Sequence, residues 1–144
     1  MTYETILYSK SEGVVTITLN RPEVLNALST TLYRELDHAI TEVETDNDVG
    51  AMIITGAGDR AFTAGADIHE MTRNAESDTP PPADPKRPSY GWHVGSCTKP
   101  TIGAINCLAY GGGALLASSL DIRVGCEKTK FRFLAAAYGR VNST

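Results

Sequence analysis

The chain is poor in the features that mark several protein classes. Its cysteines are only three, Cys97, Cys107 and Cys126. An odd count without C-x-x-C spacing argues against a disulfide framework and against a zinc site, so buried free thiols are expected and no metal. No apolar run approaches the length of a membrane span, and Met1-Thr2-Tyr3-Glu4 lacks the charged, then apolar, pattern of a secretory leader. The sequence therefore reads as a soluble, cytoplasmic protein with no membrane partner. A large excess of one charge is missing too: 13 Lys and Arg face 17 Asp and Glu, for a formal charge of −4. That balance excludes a general affinity for nucleic acid.

What is present is a substantial apolar fraction, 42% of 144 residues, enough for one compact domain spanning 1–144. Tyr3 to Tyr8 and Val14 to Leu19 read as two strands around the polar turn Ser9 to Gly13. Asn20-Arg21-Pro22 stops the second strand, because proline cannot donate to a sheet ladder. Leu28, Leu32, Leu36, Ile40 and Val43 recur at intervals of three and four, which predicts a helix from an N-cap at Ser29 to about Thr45. Ala51 to Thr55 reads as a strand buried on both faces. Five of the seven prolines fall between Thr72 and Pro88, so 72–88 is expected to be a mobile surface loop within the domain. A short helix is expected over Tyr90 to Cys97 and strands over Thr101 to Ile105, Leu120 to Val124 and Lys130 to Phe133. A helix over Ala114 to Ser118 is expected to follow a glycine-rich turn, Asn106 to Gly113. The repeated order strand, glycine-rich turn, helix points to an α/β fold built as a spiral of sheet and helix layers.

Two stretches place small residues directly before a helix start: Ala61-Phe62-Thr63-Ala64-Gly65-Ala66-Asp67-Ile68 and Gly111-Gly112-Gly113. The first turn of a helix presents unpaired N–H groups and the positive end of the dipole, and small side chains let a ligand approach them. Two such ends meeting at one point would stabilise a developing negative charge. A loose G-x-G-x-x-A pattern, Gly56-Ala57-Gly58-Asp59-Arg60-Ala61, also follows a strand. It leaves dinucleotide binding as a lesser alternative, since such a site wants a helix starting inside the pattern.

Together with Asn20-Arg21-Pro22, Leu25-Asn26-Ala27-Leu28, Lys99-Pro100-Thr101-Ile102 and Asp121-Ile122-Arg123, these stretches resemble the enoyl-CoA hydratase/isomerase family, the crotonase superfamily, in order and spacing. The resemblance implies a crotonase-like fold of ββα units, in a chain about half the usual family length that leaves an apolar flank exposed. It also implies a homo-oligomer, a trimer or hexamer. The implied ligand is an acyl-CoA thioester, with coenzyme A entering as part of the substrate and no separate cofactor. Its carbonyl oxygen would lie between the backbone N–H groups of Ala66 and Gly112. Carried over by position, Arg21, Leu25 and Ala27 would lie toward the CoA moiety, and Ala64, Asp67, Ile68, His69 and Leu115 would line the ligand. Asp67 is also expected to cap its helix, and Glu70 to be a helix-surface charge. The two glutamates that hydratases of this family use are not at their positions. Leu115 stands two residues beyond the glycine triplet and Ala135 four residues after Phe131, so simple hydration lacks its proton-transfer groups. Tyr138, beside the second vacated position, is the candidate for a replacement hydrogen bond. The alternative function is a catalytically silent acyl-CoA-binding or oligomer-partner protein.

Overall fold

The computed structural model describes residues 2–76 and 92–133. The chain opens with a hairpin, β1 (Ile6–Ser11) and β2 (Val14–Leu19), in antiparallel register from Ile6 opposite Leu19 to Ser11 opposite Val14. The turn is only Glu12-Gly13, both at positive φ (50° and 77°), the backbone twist that two-residue hairpins favour. The first strand therefore runs three residues beyond its expected end at Tyr8, because a left-handed pair suffices to reverse the chain.

A single 3-10 turn, Pro22–Val24, leads to the long helix α1 (Thr30–Thr45), whose N-cap Ser29 accepts from Leu32 N at 3.2 Å. Leu32, Leu36, Ala39, Ile40 and Val43 form its buried stripe and join Val15, Ile17, Leu19, Met52 and Ile54 in one core. Glu35 is buried on the same face. Its carboxylate accepts from Glu4 N, Thr5 N and Thr5 Oγ1 at 2.7, 2.8 and 2.6 Å and fastens the N-terminal segment to the helix. At the other end, Lys99 Nζ donates to Val43 O at 2.6 Å, a cation set against the negative end of the dipole.

Strands β3 (Ala51–Gly56), β5 (Thr101–Ile105) and β7 (Ile122–Gly125) extend the hairpin in parallel, giving a five-stranded sheet of order β1-β2-β3-β5-β7. Burial along β3 alternates. Met52 and Ile54 are fully covered, while Ala51, Ile53 and Thr55 are half-buried. The expectation of a strand buried on both faces is thus corrected: the described residues fully cover one face only.

A second, parallel sheet joins β4 (Ala61–Thr63), β6 (Leu108–Tyr110) and β8 (Lys130–Arg132) in that order. The first two fall where the sequence reads as loop and as glycine-rich turn. Three-residue strands carry too little alternation to be recognised, and it is the parallel pairing that defines them. The chain passes from β3 through a bend straight into β4, with no helix inside the G-x-G-x-x-A stretch. The dinucleotide alternative is therefore contradicted.

The remaining helices are α2 (Ile68–Glu76), α3 (Trp92–Gly95) and α4 (Gly112–Ser118). Residues 72–76, placed in a Pro-rich loop by composition, belong to α2; the rest of that segment lies outside the described residues, as do Tyr138 and Ala135. The last helix begins two residues before Ala114, since glycine at its start tolerates the tight entry from β6. No helix among the described residues is long and apolar enough to cross a membrane. On β7, β8 and the residue that follows, Ile122, Val124, Phe131 and Phe133 are 46–58% exposed, an apolar flank at the edges of both sheets. The cysteines are free, as the odd count implies, but not buried: Cys97 and Cys107 are half-buried and Cys126 is exposed. Two of them sit in loops between strands, where no packed layer covers them.

Candidate active site

The site is built from two copies of one local arrangement. Strands β4 and β6 lie side by side in parallel, Ala61 opposite Leu108 and Thr63 opposite Ala109, with a bulge between the pairs. Both therefore end at the same edge of the sheet. Each runs through small residues into a helix, β4 into α2 and β6 into α4.

The small residues are required by how closely the two backbones meet. A Cβ added at Gly65 would sit 2.7 Å from Tyr110 O and 3.0 Å from Gly112 N, and one at Gly113 would sit 2.4 Å from Thr63 O. Gly65 also holds φ at 93°, which side chains rarely tolerate. The turn after β4 and the start of α4 are thus in backbone contact.

Neither of the two expected amides has a backbone acceptor among the described residues. Leu28 N donates to Gly65 O at 2.8 Å and Leu28 O accepts from Asp67 N at 3.2 Å. In this parallel bridge the groups of Ala66 itself point to the opposite edge. Gly112 is the first residue of α4, so its N–H has no intrahelical acceptor. Both residues are half-buried, open enough for a ligand to reach.

A third segment braces the first turn. Ala64 N donates to Leu25 O at 3.0 Å, extending the contact between 25–28 and 64–67. Arg21 Nη1 donates to Ala27 O at 2.7 Å and to Asp67 Oδ2 at 2.9 Å. Burial alone would raise the Asp67 carboxyl. The Arg21 guanidinium and the amides of Glu70 and His69 nevertheless hold it below the ordinary carboxylate range. Asp67 also caps α2 as expected, Oδ1 accepting from Glu70 N at 3.2 Å.

Of the remaining expected ligand-side residues, Ile68 is 72% exposed, His69 is exposed, Ala64, Leu25 and Leu115 are half-buried, and Ala27 is buried. Leu115 lies on α4, its N–H donating to Gly111 O at 3.2 Å. Glu70 departs from its reading as a surface charge. Its Oε2 accepts from Thr30 N at 2.8 Å, so a carboxylate on α2 caps the first turn of α1.

Sequence reasoning missed Asn26, which is completely buried at φ 54°. Its Oδ1 accepts from Arg21 N at 2.9 Å, while Nδ2 donates to Ala57 O at 3.0 Å and Ala61 O at 2.9 Å. One amide thereby joins the turn after β2 to the entry of β4. An asparagine between Leu25 and Ala27 was the available signal, since asparagine accepts left-handed backbone more readily than most residues.

The fold and this paired-turn arrangement define a crotonase-type α/β protein. The family model described as enoyl-CoA hydratase/isomerase matches residues 9–144, and the chain belongs to that family. It is 43% identical over 132 residues to a protein of Mycobacterium bovis named "Probable enoyl-CoA hydratase echA8", covering 91% of this chain and 49% of that one. Against the "Short-chain-enoyl-CoA hydratase" of Clostridium acetobutylicum the identity is 37% over 135 residues, covering 91% of this chain and 50% of the relative. Among solved structures, an enoyl-CoA hydratase/carnithine racemase from Magnetospirillum magneticum superposes with a TM-score of 0.87 at 30% identity. That match covers 99% of this chain and 54% of the other. The chain spans about half the length of the relatives it matches.

Proposed function

We propose that the chain binds an acyl-CoA thioester and holds its carbonyl oxygen between the N–H groups of Ala66 and Gly112. The observation that supports this reading is the close approach of Gly65 to Gly112, where an added Cβ would lie 3.0 Å from the Gly112 nitrogen, so that the turn carrying Ala66 meets the start of α4. Negative charge developing on a thioester oxygen, as enolate or tetrahedral adduct, is stabilised by donors already in place. Removing one such donor typically lowers turnover by about 10²–10³-fold.

The reaction is a variant one rather than simple hydration. Leu115 occupies a position where family hydratases carry a glutamate, and a hydrocarbon side chain can neither orient water nor move a proton. Hydrolysis through a tetrahedral adduct, and isomerisation or C–C cleavage through a thioester enolate, each use the oxygen-binding amides together with a proton-transfer group other than Leu115. The same observation favours a second reading, a binder without turnover.

A panel of enoyl-CoA and 3-ketoacyl-CoA esters, assayed for turnover beside calorimetric binding, separates the two. Turnover of a ketoacyl ester or isomerisation of an enoyl ester, without hydration, supports the variant enzyme. Binding without any turnover supports the silent protein, and failure to bind every ester refutes both.

A further inference from the structure

The three thiols have contrasting surroundings. Cys97 donates Sγ–H to Glu44 Oε2 at 3.0 Å, and burial, then that carboxylate, push its pKa up, which disfavours the thiolate. Cys107 and Cys126 instead lie on two loops that run side by side. The first loop joins β5 to β6 and the second joins β7 to β8. The strands before them are in register at Ile105 and Gly125, and the strands after them at Leu108 and Lys130.

Each sulfur reaches over the other loop. Cys126 Sγ lies 3.3 Å from Asn106 O, and Cys107 Sγ lies 3.6 Å from Lys128 O. A carbonyl oxygen and the next Cα are about 2.8 Å apart across a trans peptide, which puts Cys126 Sγ within about 6 Å of Cys107 Cα. Turning χ1 between staggered positions carries a sulfur by about 3 Å, enough to close such a gap. Neither residue belongs to a strand, so bond formation breaks no sheet ladder. Cys126 is also exposed, and the Lys128 amide followed by the Thr129 hydroxyl hold its thiol below the ordinary range.

We propose that Cys126 and Cys107 form an oxidant-responsive dithiol whose substrate is a hydroperoxide. The Cys126 thiolate attacks the outer peroxide oxygen and the O–O bond breaks. This leaves a sulfenic acid on Cys126, and the departing hydroxide or alkoxide takes up the proton that the Cys126 thiol gave up, leaving as water or an alcohol. The Cys107 sulfur then attacks the Cys126 sulfur, an S–S bond forms, and the sulfenic hydroxyl departs as water with the proton from the Cys107 thiol. The two thiols lose two electrons and the peroxide gains them. The resulting link spans Asn106, whose Nδ2 donates to Gly56 O at 3.0 Å and Gly58 O at 2.8 Å, and it lies directly before the strand that delivers Gly111 and Gly112.

The test is exposure of the whole chain to hydrogen peroxide, followed by thiol alkylation and peptide mapping without reductant. The expected result is a Cys107–Cys126 peptide reversed by dithiothreitol, one free thiol left at Cys97, and Cys126 consumed at least about tenfold faster than Cys97. In Cys107→Ser, dimedone is expected to trap a sulfenic acid at Cys126. Equal consumption of Cys97 and Cys126, a disulfide joining two chains, or a Cys107 that stays free while Cys126 is oxidised would each overturn the proposal. The wild-type map decides the matter whether or not the variant folds.

Discussion

The Cβ position of Gly65 falls 3.0 Å from the amide nitrogen of Gly112, although the two residues belong to different strand-to-helix turns. Gly65→Ala is therefore expected to lower unfolding stability by about 1–3 kcal/mol. It forces a side chain onto backbone at positive φ and drives a methyl group against Tyr110 O. Urea denaturation measures the loss, and a midpoint equal to wild type would show that the two turns are not in contact.

The Arg21–Asp67 ion pair is a second joint of the same region, with side-chain exposures of 21% and 8%. Asp67→Asn keeps an N-cap for α2 but removes the charge facing Arg21. A double-mutant cycle with Arg21→Met should give a coupling of about 1–2 kcal/mol, below that of a fully buried pair because Arg21 is partly solvated. The folded-state pKa of Asp67 is depressed, so its contribution is complete above the ordinary value of 3.8 and disappears as pH falls through the folded value. Stability of Asp67→Asn should consequently fall less than wild type on acidification below about pH 4.

Glu35 gives a separate acid-sensitive contact, far from the site. Burial opposes its ionisation, but the Thr5 hydroxyl and the amides of Glu4, Thr5 and Ile6 hold its pKa below the ordinary value. The sign is the same: stabilisation present above the unfolded pKa, lost as pH falls through the lower folded one. Glu35→Gln should flatten the acid limb of a stability–pH profile and speed amide exchange at Glu4 and Thr5. Unchanged exchange at those amides would contradict the contact.

Asn26→Ala leaves the carbonyls of Ala57 and Ala61 without the Nδ2 donor they now share. A cost of about 1–3 kcal/mol is expected, since Ala57 O loses its Asn26 donor and Ala61 O keeps only the longer bond from Asn106 Nδ2 at 3.4 Å. Thermal unfolding checks it, and a variant as stable as wild type would mean that the asparagine only fills space.

These joints differ in how far the sequence discloses them. The core stripe of α1 and its Ser29 cap are local, written in intervals of three and four, and Asp67 capping its own helix is local in the same way. The partner of Asp67 is 46 residues away, and the Thr30 amide capped by Glu70 is 40 residues away. No periodicity encodes such pairings. Strands β4 and β6 escaped recognition because three residues hold barely one alternation, whereas the glycines at their ends marked the same places through chemistry rather than pattern. The carbonyl-binding candidates Ala66 and Gly112 were legible only by resemblance, since a backbone donor leaves no side-chain signature.

The most direct test compares binding of butyryl-CoA with that of its thioether analogue, which lacks the carbonyl, to wild type and to Gly112→Val. Two amides on one oxygen are worth about 1–3 kcal/mol, so wild type should prefer the thioester by about 5- to 150-fold. Gly112→Val should lose at least half of that preference in free energy, the Ala66 amide alone remaining, while keeping a folded far-ultraviolet spectrum. Equal affinity of wild type for thioester and thioether, or an undiminished preference in Gly112→Val, would contradict the account.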